Sequence, residues 1–136
     1  MVRVLIPFTD PESAERAVRR LLDEPRRSAL EVELLAIVEP LVPGKVPIYL
    51  TRRRADSLAR AAAQSWIDRA GAQLRARGVP CRGFVALGRP KELIDAAVNR
   101  DDVDRVLLPA PRRFPAIGRR RFHFARASHR PVTIVR

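Results

Sequence analysis

The run from Gly88 to Pro109, GRPKELIDAAVNRDDVDRVLLP, constrains the fold more than any other stretch of the chain. Gly88 and Pro90 punctuate the end of a preceding apolar run. Proline suits the first turn of a helix, where its missing N–H has no partner to lose. Leu93, Ile94, Ala97 and Val98 then recur as one apolar stripe, which predicts a helix from Pro90 onward. Val106 to Leu108 follow as a short apolar run between Asp104 and Pro109, the pattern of a strand buried on both faces. Helix, polar turn and buried strand make half of a parallel crossover, and this commits the chain to an α/β layered fold.

The rest of the sequence repeats that alternation. Val2 to Pro7 reads as a central strand, and Asp10 before Pro11 reads as a helix N-cap with proline at the first helical position. Ala14, Ala17, Val18, Leu21 and Leu22 continue that helix, and Pro25 is expected to end it. Val32 to Val38 reads as a second strand, interrupted near its start by Glu33. The proline-rich stretch from Pro40 to Leu50 predicts irregular structure, either a plain connector or a lid or partner contact. A long helix is expected from Thr51 to Arg77, with Ala55, Leu58, Ala62, Trp66, Ala70 and Leu74 as its apolar stripe and Arg52, Arg53 and Arg54 in its first turn. Gly78 stops it. Val79 to Leu87 reads as an edge strand, because Pro80 and Gly83 are poorly tolerated in a central one. Val132 to Val135 is the last strand. The order β-α-β-α-β-α-β, an irregular or helical segment and β predicts one doubly wound domain over residues 1–136, a parallel sheet with helices on both faces.

Composition narrows the function classes. Cys81 is the only cysteine, so no intrachain disulfide framework is possible, and no apolar run reaches the ~20 residues that span a membrane. The expected compartment is the cytoplasm. Basic residues outnumber acidic ones 27 to 15, and the excess lies behind residue 50. Two explanations stay open: a general bias toward arginine, or a surface for phosphate or nucleic acid. The two histidines, His123 and His129, lack nearby carboxylate or thiol ligands and do not form a metal pattern. No nucleophile elbow, Walker loop or acid–base constellation is present, so catalysis is not expected.

Four stretches, VLIPFTDPESAERAV, VALGRPKELIDAA, DVDRVLLP and RASHRPVTIVR, together with the order of elements, give the chain a resemblance to the universal stress protein family over nearly its whole length. The resemblance implies a five-stranded parallel sheet in the order 3-2-1-4-5 and a homodimer formed through the last strand, here Val132, Thr133, Ile134 and Val135. It also implies a nucleotide site in one branch of the family. There the first strand ends in Pro-x-Asp, and the fourth is followed by Gly-x-x-Gly, a spacer, and Gly-Ser or Gly-Thr.

The matching positions here depart from that pattern. Thr9 stands where the aspartate belongs, and Asp10 lies one position late. Pro109, Ala110, Pro111, Arg112 and Arg113 replace the start of the glycine loop, and prolines remove the amide donors that would cradle phosphate. Gly118 matches the last motif glycine, Arg119 occupies the Ser/Thr position, and Val38 remains at the place that lines adenine. The expectation is a stress-response or regulatory binding module without a cofactor, its ordinary Mg-ATP binding lost or weak. Two alternatives stay open. An adenine nucleotide or other phosphate anion could be held by Arg112, Arg113, Arg119 and Arg120, with Phe114, Phe122 and Phe124 available for stacking. A less favoured one is non-specific association with nucleic acid through the basic face; a protein partner is also possible.

Overall fold

The computed structural model describes residues 1–25, 29–40, 51–110 and 131–135. Eight elements follow one another: β1 (Val2–Phe8), α1 (Pro11–Leu22), β2 (Leu30–Val38), α2 (Arg52–Ala76), β3 (Cys81–Leu87), α3 (Pro90–Val98), β4 (Arg105–Pro109) and β5 (Val132–Val135). The strands form one parallel sheet in the order β3-β2-β1-β4-β5, as expected, with β3 and β5 at its edges.

Strand periodicity sorts the core into two layers. Val4, Ile6 and Phe8 of β1, Val32, Leu34 and Ala36 of β2, Leu107 of β4 and Val135 of β5 pack with α1 and α2. Leu5, Ile37, Val106 and Leu108 point the other way and pack with Ile94, Ala97 and Val98 of α3. The middle of β4 is thus covered on both sides, as its unbroken apolar run predicts.

The α1 helix begins as its sequence dictates. Asp10 is the N-cap and accepts from the Ser13 amide, Pro11 follows it, and Ala14, Ala17, Val18 and Leu21 are buried. It ends at Leu22, three residues before Pro25, and is capped by Asp23. Gly78, at a φ of 76°, takes the left-handed conformation that closes the end of α2.

The stripe of α2 differs from expectation. Ala55, Ala63, Ile67, Ala70, Gly71 and Leu74 face the sheet, Trp66 packs at the margin, and Leu58 is 57% exposed. Ala55, Ala70 and Leu74 are buried as expected, whereas Leu58 and Ala62 lie one step off the face that the 3.6-residue turn presents to the sheet over a 25-residue helix. Arg52, Arg53 and Arg54 are solvent-exposed, and Thr51 caps the helix by accepting from the Arg54 amide at 3.2 Å.

Glu33 is not an interruption of β2 but a buried junction. It is 2% exposed and faces the α3 side, where Arg100 binds it through both terminal nitrogens and Arg82 of β3 reaches it at 3.3 Å. Arg100 also holds Asp102, and Asp104 accepts from the Arg3 amide at 2.8 Å. These contacts fasten the α3–β4 turn to β2 and β1.

Candidate functional site

In open α/β sheets a ligand crevice forms beyond the carboxyl ends of the strands, where the strand order reverses. Here that point lies between β1 and β4, because the chain moves outward from β1 to β2 on one side and from β4 to β5 on the other. The structure brings Thr9, Val38 and Pro109 to this end of the sheet, on the adjacent strands β1, β2 and β4. Thr9 is half-buried just past β1. Val38 closes β2, its carbonyl accepting from the Gly88 amide at 3.1 Å. Pro109 is buried and lies opposite Val135. Gly118, Arg119, Arg112, Arg113 and Arg120, with the phenylalanines and histidines interleaved among them, lie outside the described residues.

A hydrogen-bonded chain that the sequence reading missed runs along this crevice. Asp10 accepts from the Ser13 amide at 2.8 Å on one carboxylate oxygen and from the Ser13 hydroxyl at 2.7 Å on the other. Arg16 donates through Nη2 to that hydroxyl oxygen and to the carbonyl of Ala110, the residue after β4. The Ala110 amide in turn donates to the Val135 carbonyl at 2.7 Å. A buried serine one turn before an arginine, on a helix opening with Asp-Pro, was the available signal.

The local electrostatics follow from this chain. Asp10 places a negative charge at the N-terminus of α1 and occupies an amide that would otherwise face an anion, so this helix end does not present the open donors of a phosphate cradle. Ala110 directs its amide into the β4–β5 ladder. Around the amino ends of the strands, ion pairs displace two carboxyl titrations. Glu24 is held below the ordinary carboxylate range by its two-pronged hydrogen bond from Arg105, and Asp102 is lowered chiefly by its hydrogen bond from Arg100. These are structural ion pairs. Among the described residues no group of three or more His, Cys, Asp or Glu side chains could hold a metal ion, and no helix is long and apolar enough to cross a membrane.

The model of the universal stress protein family matches residues 1–136, and the chain belongs to that family. Among solved structures it is similar to UspA from Lactobacillus plantarum, at 13% identity and a TM-score of 0.76, covering 99% of this chain and 97% of that one. It is similar to the universal stress protein from Archaeoglobus fulgidus in complex with dAMP, at 18% identity and a TM-score of 0.63, covering 100% and 98%. It also resembles a family protein from Arabidopsis thaliana with AMP bound, at 18% identity and a TM-score of 0.62, covering 99% and 91%. No curated protein sequence matches. At these identities the likeness fixes the fold.

Proposed function

We propose that the chain is a non-catalytic stress-response module that acts as a homodimer and does not take Mg-ATP in the ordinary manner of its family's nucleotide-binding branch. The observation that carries this reading is the engagement of Asp10. The carboxylate nearest the β1 end caps α1 through Ser13 and is one position late, while Thr9 fills the motif position. Pro109 and Ala110 support the same reading, since the first lacks an amide hydrogen and the second donates its own to Val135.

The dimer reading rests on β5. It is a four-residue edge strand with β4 as its one strand neighbour among the described residues, and an edge of this kind is covered or paired in stable proteins. Light scattering should give twice the chain mass, and Thr133→Pro should return the protein to monomer. A monomeric parent protein would sink the dimer. Release of adenine nucleotide from the freshly purified protein on acid denaturation would count against the ATP part of the proposal.

A second reading is favoured by the similar structures that hold dAMP and AMP. On it, the module senses an adenine nucleotide or another phosphate anion through Arg112, Arg113, Arg119 and Arg120. Loss of binding in Arg119→Ala is its test.

A further inference from the structure

The outer edge of β3 presents an open strand. The Val32 amide donates to the Pro80 carbonyl at 2.9 Å, and the Gly88 amide to the Val38 carbonyl at 3.1 Å. These two bonds set the phase of the parallel ladder, in which Arg82, Phe84 and Ala86 turn their backbone groups toward β2. The amides and carbonyls of Cys81, Gly83 and Val85 therefore point away from the sheet, and none has a backbone partner among the described residues. Strand edges are commonly blunted by brevity, a bulge or a proline. β3 has seven residues matched one for one with β2, and its proline, Pro80, precedes it.

One face of that edge is bare. α2 lies over β3 on one side, whereas on the other α3 packs against β1 and β2. Paired in register with Glu33 and Leu35, Arg82 and Phe84 face the α3 side, and Phe84 is 50% exposed. The Arg82 guanidinium lies 5.9 Å from the centre of the Phe84 ring and 3.3 Å from Glu33. Arg100 already engages both oxygens of that carboxylate, so the charge of Arg82 is only partly answered, and its side chain is 48% exposed. From the α2 side Arg75 brings a terminal nitrogen to Gly71, beside the Cys81 sulfur. Between Asp68 and Glu92 the sequence holds six basic residues and no acidic one.

We propose that the β3 edge docks an acidic, extended segment of a partner protein. The segment adds a strand to the sheet through the backbone groups of Cys81, Gly83 and Val85, sets a carboxylate opposite Arg82 and lays an apolar side chain on Phe84. Charge selects this occupant. A second copy would bring the same basic edge against itself, whereas an incoming carboxylate completes a cluster in which two guanidinium groups share the buried Glu33. The surface lies at the opposite edge of the sheet from β5 and apart from the strand-end crevice, so it depends neither on the homodimer nor on what the crevice holds.

Amide NMR and hydrogen exchange of the full chain test this at constant ionic strength, with the peptide acetyl-TETVTET-amide as probe. Its alternation places valine between two glutamates on one face, so the pattern meets Phe84 and Arg82 in either strand direction. Binding should be saturable and should shift and protect the amides of Gly83 and Val85. Those of Arg82 and Phe84, already bonded to β2, should keep their exchange rates. Replacing both glutamates by lysine should weaken binding at least about tenfold. N-methylation of the three central residues, which removes the donors facing β3, should abolish it. Phe84→Ser, at a half-exposed position outside the core, should weaken it about fivefold. Unmoved Gly83 and Val85 amides, or equal affinity for the lysine peptide, would overturn the proposal. Protection of those amides that grows with protein concentration in the absence of peptide would also overturn it, giving the edge to a second copy.

Discussion

Arg16 of α1 donates through Nη2 to the carbonyl oxygen of Ala110, 94 positions further along the chain. The bond joins the first helix to the exit of β4 at the point where the strand order reverses. It continues a chain that begins at the Asp10 carboxylate and passes through Ser13, so helix cap and strand end are set by one network. Arg16→Ala removes both bonds of Nη2 and uncovers the Ala110 carbonyl. A loss of about 1–2 kcal/mol is expected, read as a lower urea midpoint with an unchanged slope.

Glu33 defines the second prediction. Arg100 and Arg82 converge on a carboxylate that is 2% exposed, so removing it leaves two cations over an apolar face. Both arginines keep access to water, which puts the cost of Glu33→Ala at about 3 kcal/mol, the lower end for breaking a buried pair. Glu33→Leu combined with Arg100→Leu should recover part of that loss, because the apolar surroundings of α3 accept leucine and the two charges left behind, Arg82 and Asp102, are about half exposed to water. Denaturant titration of the three proteins checks the ordering.

Acid should destabilise the fold through the ion pairs at the amino ends of the strands. The Glu24 carboxyl is lowered by its hydrogen bond from Arg105, and that of Asp102 by its hydrogen bond from Arg100. A carboxyl whose folded value lies below its unfolded value stabilises fully above the unfolded value, about 4, and that stability is lost as pH falls through the folded one. Tm should therefore hold steady above about pH 5 and fall below it. Glu24→Gln should lower Tm at neutral pH and flatten the acid limb, whereas a parallel pair of curves would contradict the assignment.

Gly83 marks the closest approach of α2 to the sheet. A Cβ built there would lie 2.1 Å from Cγ2 of Ile67, a β-branched side chain 4% exposed with little room to turn. Gly83→Ala should cost about 1–3 kcal/mol through overpacking. Ile67→Ala in the same chain should restore part of it, since the two positions are in direct contact and their effects do not add. A double variant no better than the sum of the singles would place the strain elsewhere.

The sequence made the sheet legible because strand and helix periods are visible one element at a time. The unbroken apolar run Val106 to Leu108 marks a covered strand, Pro80 and Gly83 mark an edge, and Asp10-Pro11 marks a helix start. What it hid was long-range pairing. Glu33 reads as a flaw in β2 because its partners Arg82 and Arg100 come from distant segments, and charge opposite charge leaves no periodic trace. Leu58 reads as buried and Ile67 goes unmarked for a related reason: a long Ala- and Arg-rich helix offers several apolar lines, and only the sheet decides which is buried. At the crevice Asp10 was read correctly as a cap, whereas Arg16 looked like one of many arginines.

The measurement closest to the central claim is an isothermal titration of ATP, with and without magnesium, into protein freed of bound nucleotide. With Asp10 committed to Ser13 and no glycine loop after Pro109, no saturable Mg-ATP binding is expected. Saturable micromolar binding that requires magnesium would contradict the account and show that the crevice still works as a nucleotide site.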